Sequence, residues 1–468
     1  DDTTVVDQVY QKFTVTDDPV LVIVNGVPAR KATSGATIQE GEWYWASNTL
    51  VYRRAKGTTA RDYVIEITDV RTSNRDYAMF LSGVDNLIIQ DLHFSHWVSA
   101  MSGSPKGASA IRLLTDAGRG GCTGVTIRKC KFSYFIDGTA IDVEGSDNFP
   151  HDIRVEENEF EECAQILLGT PTVLFQAATG GPLTSTIRFY KNSLKNVLFA
   201  GYGAGEGGFE ADLVTWVSTQ DMLNVYYGYN TVRMSAFPKL STDDPTAARA
   251  SVVMTIVDSI GDSGSGTASR VRNPIIEYND IEGGNHQIIL DTTAGGEVRY
   301  NRCTAGRADP FMLTCAGSKR GKGGKGLVIH HNVFFGGHDN GAQLHQCDDV
   351  TFSHNTVAKS DGNGLMVSHD FGQPTGTNKK LKIYNNIFFE NGRYTQRPYQ
   401  HEGRHAEIFL AFADSVEYST FECDYNIFRH TTSAGSPASL KPFMIDSNLL
   451  TLAEWSNALQ VASCVAYD

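Results

Sequence analysis

The sequence has few of the features that mark disulfide-rich, zinc-binding or membrane-spanning proteins. Its 468 residues include only 8 cysteines, too few for a disulfide scaffold, although one to three disulfides are compatible with the spacing, Cys122–Cys130 among them. No run approaches the ~18 apolar residues that a membrane-spanning helix needs. The CxxC, HExxH and GxSxG motifs and the glycine-rich phosphate loop are absent, which removes the motif-based case for zinc, serine-hydrolase and nucleotide sites.

Charge and composition narrow the class of protein further. A net charge of −13 argues against a general nucleic-acid-binding surface. With 41% hydrophobic residues and 14 prolines, the chain can bury a large core and is not expected to be disordered. It begins "DDTTVVDQ", with neither Met nor an apolar stretch, which we interpret as a processed or trimmed chain.

An Asn recurs behind a short apolar alternation, as in "IHHNVF" and "FSHNTV". The tightest steps are 22 residues (279 to 301) and 23 residues (332 to 355), two more are 31 (301 to 332 and 355 to 386), and the longest is 49 (230 to 279). This regularity predicts a repeat architecture with a fixed rung and variable insertions. The recurring positions are Asn158, Asn192, Asn230, Asn279, Asn301, Asn332, Asn355, Asn386 and Asn426.

Each rung contains three short apolar pieces: one before the Asn ("GLVIHH"), one after it ("VFF") and a third after a Gly/Asn/Asp-rich break ("AQLHQC"). Three strands in about 22 residues leave no room for a helix. Successive rungs would stack at about 4.8 Å, and the Asn would occupy a left-handed turn and hydrogen-bond its neighbours. A leucine-rich repeat has a similar period but needs a Leu-rich frame that is missing here. The sequence therefore predicts an all-β fold, a parallel β-helix with an Asn ladder.

The chain divides into three regions. Residues 1–75 contain short strands and an "NG" turn in "PVLVIVNGVPARKA", and are expected to form an N-terminal β cap. Residues 76–430 form the β-helix, which carries the activity, and residues 431–468 form a C-terminal cap whose "NLLTLAEWSNAL" predicts a short amphipathic helix.

The stretches "GEWYWASNTLVYRR", "NLIIQDLHFSHW" and "GVTIRKCKFSYFIDGTAIDV" resemble secreted right-handed parallel β-helix proteins of the pectate-lyase-like superfamily. Its members are polysaccharide lyases, glycoside hydrolases and uronan epimerases. The resemblance implies a secreted, extracellular or periplasmic protein, and we expect a monomer. The "NTD" and "GHG" elements of polygalacturonases and the "DPH" element of alginate epimerases are absent, so no catalytic residue can be transferred.

In this superfamily the substrate groove runs along the sheet made by the third strands. Strand alternation predicts which side chains of this chain face that groove. They are Asp142, Glu144, Ile289, Asp291, Gln343, His345, Met366 and Ser368, with His369 and Asp370 at a strand end.

Two loops are expected to form opposite walls of the groove, because they leave opposite ends of neighbouring strands. They are "AGSKRGKGGKG" (316–326) and "ENGRYTQRPYQHEGRHAE" (390–407). A basic cleft on an acidic protein predicts an acidic polysaccharide as the partner, rather than nucleic acid or a membrane. The basic residues are Lys319, Arg320, Lys322, Lys325, Arg393, Arg397, His401, Arg404 and His405.

An acidic polymer in a long groove suggests β-elimination on uronate sugars, in which the C5 proton beside a carboxylate is removed. Arg404 is predicted to neutralise that carboxylate, because its planar fork matches two oxygens. His345 or His369 is predicted as the base. Lys325 or Tyr394 would supply the proton to the leaving group.

Two other classes of function stay open. A glycoside hydrolase needs paired carboxylates, and Asp142 and Glu144 lie two apart on one strand face, roughly 7 Å, with Asp291 further along. The same carboxylates could bind Ca²⁺, which serves as a carboxylate clamp in related lyases. A non-catalytic adhesin or phage spike would use the groove for binding only.

Overall fold

Three short strands recur along the chain and form the rungs of a right-handed parallel β-helix. Sheet 1 denotes the strands before each recurring Asn, sheet 2 the strands after it, and sheet 3 the third strands. In each sheet, neighbouring strands come from successive rungs. The computed structural model describes residues 10–14, 22–25, 27–32, 35, 38–47, 49–53, 65–67, 77–98, 109–115, 122–136, 139–145, 152–164, 173–177, 187–196, 212–218, 222–234, 252–258, 271–284, 286–291, 293–306, 309–314, 324–337, 339–368, 378–392, 406–411, 416–429, 443–446, 448–459 and 465–467.

Sheets 1 and 2 are parallel throughout these residues, with 11 and 12 described strands. Sheet 1 consists of Ile88–Gln90, Thr126–Arg128, Ile153–Glu156, Ile187–Tyr190, Val225–Gly228, Ile275–Glu277, Glu297–Arg299, Val328–His330, Thr351–Ser353, Lys382–Tyr384 and Glu422–Asp424. Sheet 2 consists of His93–Val98, Lys131–Ile136, Glu159–Ala164, Ser193–Asn196, Thr231–Met234, Asp280–Glu282, Arg302–Thr304, Val333–Phe335, Thr356–Ala358, Ile387–Phe389, Ile427–Arg429 and Val465–Tyr467.

Sheet 3 has 13 described strands and is parallel except at its last pair, where Asn448–Leu450 folds back on Phe443–Ile445. A minor sheet lies between sheets 3 and 1 and consists of Met222–Leu223, Val271–Arg272 and Thr293–Ala294. Sheet 3 consists of Tyr77–Leu81, Ser109–Thr115, Thr139–Gly145, Val173–Ala177, Asp212–Ser218, Val252–Asp258, Ile288–Asp291, Phe311–Thr314, Ala342–His345, Leu365–Ser368, Ile408–Leu410, Phe443–Ile445 and Asn448–Leu450.

The described strands before residue 76 form two small sheets. The predicted "NG" turn is confirmed: Val24 pairs with Val27 in an antiparallel hairpin, and Asn25 has a φ of 53°. One sheet has the order Tyr10–Thr14, Thr49–Arg53, Glu42–Ala46 and Arg30–Lys31, and the other Val27–Pro28, Val22–Val24 and Ile65–Ile67. The proposed boundaries at residues 75 and 430 stay predictions.

The predicted C-terminal helix is Leu452–Leu459. Thr451 and Glu454 form a capping box, each accepting a hydrogen bond from the other's backbone N–H. Trp455 is fully buried, and its ring stacks on Phe443 with centroids 4.7 Å apart, so the helix covers the end of the core. A 3-10 turn occupies Tyr418–Thr420.

The nine recurring Asn residues form one continuous buried ladder, as predicted. The Asn301 backbone N–H and Nδ2 both donate to Oδ1 of Asn332, at 3.0 Å each, and Asn332 does the same to Asn355. Nδ2 of Asn332 also donates to the carbonyl of Val298 at 2.8 Å. Every turn between sheets 1 and 2 from residue 158 to residue 426 therefore satisfies its buried polar groups within the ladder.

The expectation that the Asn itself holds the left-handed turn is wrong. The residue before each Asn has the positive φ, for example Tyr300 at 54° and His354 at 55°. The Asn turns inward instead, so its contribution is the amide alone. The residues with positive φ at this turn are Glu157, Lys191, Tyr229, Tyr278, Tyr300, His331, His354, Asn385 and Tyr425.

The core lies inside the three sheets and consists of alternate strand residues. Ile141 and Val143 of sheet 3 are fully buried, and inward rings stack from rung to rung, such as Phe132 on Phe160 with centroids 5.0 Å apart. Offset stacking of this kind adds to the area that each ring removes from water.

The candidate Cys122–Cys130 disulfide is absent. Both side chains are buried free thiols, as is Cys303, and burial raises the pKa of the Cys130 thiol. They occupy inward positions, where Cys packs as a small apolar residue.

Candidate active site

The outer face of sheet 3 carries the side chains that alternation predicted. Register pairs Arg112 with Asp142 at one end of this face, and Gln343 with Met366 nearer the other. Their strand neighbours Ile141 and Leu344 belong to the core, whereas these four side chains lie outside it.

The outer face is not an open groove over the later rungs. Gln343, His345, Met366 and Ser368 are between 0% and 7% exposed, although all were expected to line a groove open to solvent. The reason is a second apolar cluster, in which Met366 packs with Ala406, Phe409, Ala411 and Met444 on this outer face. Ile289 and Met312 are half-buried, so solvent reaches the face at their rungs.

Two polar residues flank that section at the N-terminal ends of neighbouring strands. His286 and Asp309 each lie two residues before a sheet 3 strand, and Ile288 pairs with Phe311, so the two side chains occupy equivalent positions one rung apart. His286 Nδ1 lies 3.4 Å from Asp309 Oδ2. The side chain of Asp309 is 1% exposed and that of His286 14%, so a buried carboxylate backs an imidazole that solvent reaches.

The Asp309 carboxylate is held by the next rung. Its Oδ1 accepts from the Asn340 backbone N–H at 2.7 Å and from Nδ2 of Asn340 at 3.2 Å, and its Oδ2 accepts from Nε2 of Gln343 at 2.9 Å. Three N–H donors compensate the carboxylate for the loss of water. They also fix its position beside His286.

Asp309 is the first member of a second polar ladder. Asn340 Oδ1 accepts from Asn363, and Asn363 Oδ1 accepts from the Ala406 backbone N–H at 3.0 Å. All of these residues lie two positions before their sheet 3 strands. We call the side chains of Asp309, Asn340 and Asn363 the edge ladder, which ends at the backbone N–H of Ala406.

The pair of His286 and Asp309 has the chemistry of a general base with an orienting carboxylate. When the Nδ1 proton is directed at Asp309, the lone pair of a neutral imidazole is on Nε2, at the far side of the ring. The negative carboxylate then stabilises the imidazolium that forms when Nε2 takes a proton.

Asp142 lies in an ion pair. Its Oδ2 is 3.4 Å from Arg112 Nε on the preceding rung, and the residue is 7% exposed. Glu144 lies on the same strand, whereas Asp291 is four strands along the sheet, roughly 19 Å away. Asp291 therefore cannot share one metal ion with Asp142 and Glu144. The side chains of Glu144 and Asp291 lie outside the described part of the structure.

Lys325 lies on the turn from sheet 3 to sheet 1, bridged to Ala294 and Asp348. Its Nζ is 3.8 Å from Asp348 Oδ2, and Lys379 Nζ approaches the same oxygen at 3.6 Å. With 57% of its side chain exposed, Lys325 stays a predicted proton donor at the C-terminal end of the strands.

Most of the other predicted site residues lie outside the described residues, so their roles stay predictions. These are Lys319, Arg320, Lys322, His369, Asp370, Arg393, Tyr394, Arg397, His401, Arg404 and His405. Within the described part of the chain, no group of three His, Cys, Asp or Glu side chains could hold a metal ion, and no helix has the length and apolarity of a membrane span.

Sequence reasoning missed His286 and Asp309. The search covered the third strands and the two basic loops, whereas both residues precede the strands, in "NHQIIL" and "ADPFML". The signal was a polar residue two positions before the strand in successive rungs, at 286, 309, 340 and 363.

Comparison with known proteins agrees with this fold. A family model for the right-handed β-helix region matches residues 249–388, which include His286 and Asp309. No curated protein matches. The chain is similar to the A-module of a mannuronan C-5 epimerase from Azotobacter vinelandii, with 10% identity and a TM-score of 0.42, over 80% of this chain and 89% of that chain.

Two lyase structures are similar at the same level. A mannuronic acid specific family 6 polysaccharide lyase from human gut microbiota has 13% identity and a TM-score of 0.39, over 81% of this chain and 89% of that chain. A family 6 alginate lyase has 13% identity and a TM-score of 0.35, over 79% of this chain but 50% of that enzyme. At these identities the likeness concerns the fold alone.

Proposed function

We propose that this protein is a polysaccharide lyase that cleaves an acidic, uronate-containing polysaccharide by β-elimination on the outer face of sheet 3. The observation that carries the proposal is the pairing of His286 with the buried carboxylate of Asp309 beside the accessible section of that face. A base oriented in this way suits abstraction of a carbon-bound proton.

In the proposed reaction, Nε2 of His286 takes the C5 proton of a uronate ring. The electron pair of that C–H bond forms the C4–C5 double bond, and the C4–O bond breaks with its electrons. The leaving oxygen then takes a proton from an acid, for which Lys325 and Tyr394 are the sequence-based candidates. The reaction consumes no water, and one product carries an unsaturated ring.

The uronate carboxylate needs positive charge beside it while the C5 proton leaves. Lys319, Arg320 and Lys322 follow the Phe311–Thr314 strand in the sequence, and we propose that they supply this charge. Arg404 precedes Ala406, whose rung is four steps from that of His286, roughly 19 Å along the axis. With His286 as base, Arg404 would bind the carboxylate of a more distant sugar.

The bases predicted from the sequence define a competing arrangement of the same reaction. His345 or His369 would act with Arg404, which precedes the Ile408–Leu410 strand in the sequence, and that strand is two rungs from the strand of His345. His345 is 5% exposed, however, and its strand neighbours on the outer face are buried. We therefore place His286 first.

Ca²⁺ stays a proposal for Asp142 and Glu144 alone. Arg112 already lies 3.4 Å from Asp142, which weakens the case for a second cation there. A chelator control in the assays below tests it. Secretion and a monomeric state fit a polymeric extracellular substrate and are proposed with the function.

The test measures ultraviolet absorbance of unsaturated product on alginate, polygalacturonate, glucuronan and glycosaminoglycans. We expect activity on at least one polymer, and a loss of about 100-fold or more in His286→Ala. His93→Ala, on the outer face of sheet 2, is the matched control and should keep full activity.

Each other outcome identifies a different function or arrangement. New reducing ends without absorbance would mean a hydrolase, and binding without any product would mean an adhesin. Full activity in His286→Ala, with loss in His345→Ala or His369→Ala and in Arg404→Ala, would move the reaction to the later rungs.

A further inference from the structure

A row of exposed aromatic rings runs along the turn between sheets 1 and 2, away from sheet 3. Tyr278 stacks on Tyr229 and on Tyr300, with ring centroids 4.8 Å apart in both pairs. Tyr300 then packs on His331 at 5.1 Å, and His331 on His354 at 4.9 Å. The three tyrosines are 42–44% exposed. We call these five residues the ring row.

The fold itself does not require rings at these positions. All five members have a positive φ of 53–57°, a conformation that tyrosine rarely adopts, whereas histidine is found there more often. At the same turn, earlier rungs hold Glu157 and Lys191 with φ of 57° and 54°, and their Asn ladder is equally regular. Bulky residues in an unfavourable conformation over five consecutive rungs point to a selected surface.

The stacking decides which ligand the row can take. The ring faces contact one another, and both ends are closed by edge-on rings, Tyr190 against Tyr229 and Tyr384 against His354. Nucleic-acid bases or sugar faces that need an open ring face are therefore excluded. The exposed parts are ring edges, which carry phenol hydroxyls and imidazole nitrogens at the rung spacing.

The adjacent face of sheet 1 adds hydrogen-bonding groups whose one arginine is paired with two carboxylates. Tyr226 donates to Glu277 Oε1 at 2.9 Å, and burial, followed by this carboxylate, raises the pKa of its hydroxyl. Arg299 Nε donates to Glu277 Oε2 at 2.7 Å, and Arg299 also pairs with Glu297. A surface of this kind suits a ligand rich in hydroxyl groups more than one recognised by charge.

We infer that the ring row is a second binding site for a linear polysaccharide, which lies along the helix axis and meets one ring edge per rung. A polymer whose units are each about one pyranose ring long has a repeat similar to the rung spacing of about 4.8 Å. Each contact contributes little binding free energy, but the contacts add up because they repeat along one rigid polysaccharide. The inference does not depend on lyase activity.

The experiment is affinity electrophoresis of the whole protein in gels containing alginate, polygalacturonate, xylan or hydroxyethylcellulose. The double variant Tyr278→Phe with Tyr300→Phe keeps the stacked rings and removes two hydroxyls. We expect it to lose about tenfold in affinity for the polymer that the wild-type protein binds best. Glu157→Gln, at the same turn outside the row, is the matched control and should migrate like wild type.

A second variant, Tyr278→Asn with Tyr300→Asn, removes the rings with a residue that tolerates positive φ. We expect it to lose at least as much affinity, and to keep its turnover of short oligosaccharides if the sheet 3 proposal is correct. If none of the polymers slows the migration of the wild-type protein, the inference is wrong. Unchanged polymer affinity in both variants would also overturn it. A lower Tm in the Asn variant would then show that the rings only support the fold.

Discussion

Two polar ladders run along the β-helix, and they differ in one residue type. The inner ladder between sheets 1 and 2 consists of Asn alone, and all nine members are 0–1% exposed. In the edge ladder, which lies before sheet 3, the first position is Asp309 instead of an Asn, and Asp309 faces His286. Both satisfy backbone amides of a neighbouring rung through side-chain oxygens, the inner ladder those of the preceding rung and the edge ladder those of the next rung.

The difference separates what the fold needs from what it does not. An amide accepts and donates, so it can be repeated indefinitely, whereas a carboxylate only accepts and brings a negative charge into a buried site. Asn at position 309 would still accept from the Asn340 N–H, provided that Gln343 turns its amide so that its oxygen accepts from the new Nδ2. The charge therefore has another purpose, which we propose is the orientation of His286.

The largest expected effect comes from breaking the inner ladder. Asn332→Leu leaves the Asn301 N–H and the carbonyls of Val298 and His330 without their side-chain partner, which should cost about 4 kcal/mol of unfolding free energy. Chemical denaturation measures it. Asn363→Leu, in the edge ladder, should cost about 1–2 kcal/mol, because only the Ala406 N–H loses its acceptor.

Equal losses in the two variants would show that the ladders are energetically equivalent. Activity per folded molecule on the best polymer should stay near wild type in Asn332→Leu, since the inner ladder is remote from sheet 3.

The second-largest effect is expected when Asp309 is replaced, so that every side chain of the edge ladder is Asn. Asp309→Asn keeps an oxygen for the Asn340 N–H and removes the charge from His286, so turnover should fall about 100-fold while the Tm stays close to wild type. Asp424→Asn, on the outer face of sheet 1, provides a carboxylate control. Full turnover in Asp309→Asn would remove the catalytic reason for the charge.

The smallest effect concerns the titratable neighbour of the inner ladder. Burial, followed by the proximity of His331, lowers the pKa of His330 despite the attraction of Glu297. The unfolded chain therefore binds the proton more tightly, and stability is lost as pH falls from about 6.5 through the lower folded pKa. His330→Gln should lose less Tm than wild type between about pH 7 and 5, by about one degree.

Turnover in His330→Gln should follow the wild-type pH profile, because this imidazole is not part of the edge ladder. A change in the acidic limb of that profile would link sheet 1 to the reaction and weaken the separation of the two ladders.

The sequence was sufficient for the architecture, because each rung repeats the same local information. Nine Asn residues with period-two apolar strands specify stacking, register and the inward face together. The residue that takes positive φ was misassigned, since Asn is common in left-handed turns and its tyrosine or histidine neighbour is not. Only the closed geometry shows that the amide points inward.

The site was less accessible to sequence reasoning. Alternation correctly placed Gln343 and Met366 outside the core, but their burial depends on the cluster of Phe409 and Met444, which other rungs contribute. His286 and Asp309 are 23 residues apart in the sequence, and an exact register brings them together.

The reversal at the end of sheet 3 bears on edge-to-edge strand pairing between copies of the protein. Every other pair in that sheet is parallel, so its last strand could serve as a template for another chain. Asn448–Leu450 instead turns back and occupies the hydrogen-bonding edge of Phe443–Ile445, while Trp455 seals the core behind it. Residues 448–459 thus cover this edge, and we expect a chain without them to expose the edge of Phe443–Ile445 to pairing with another chain.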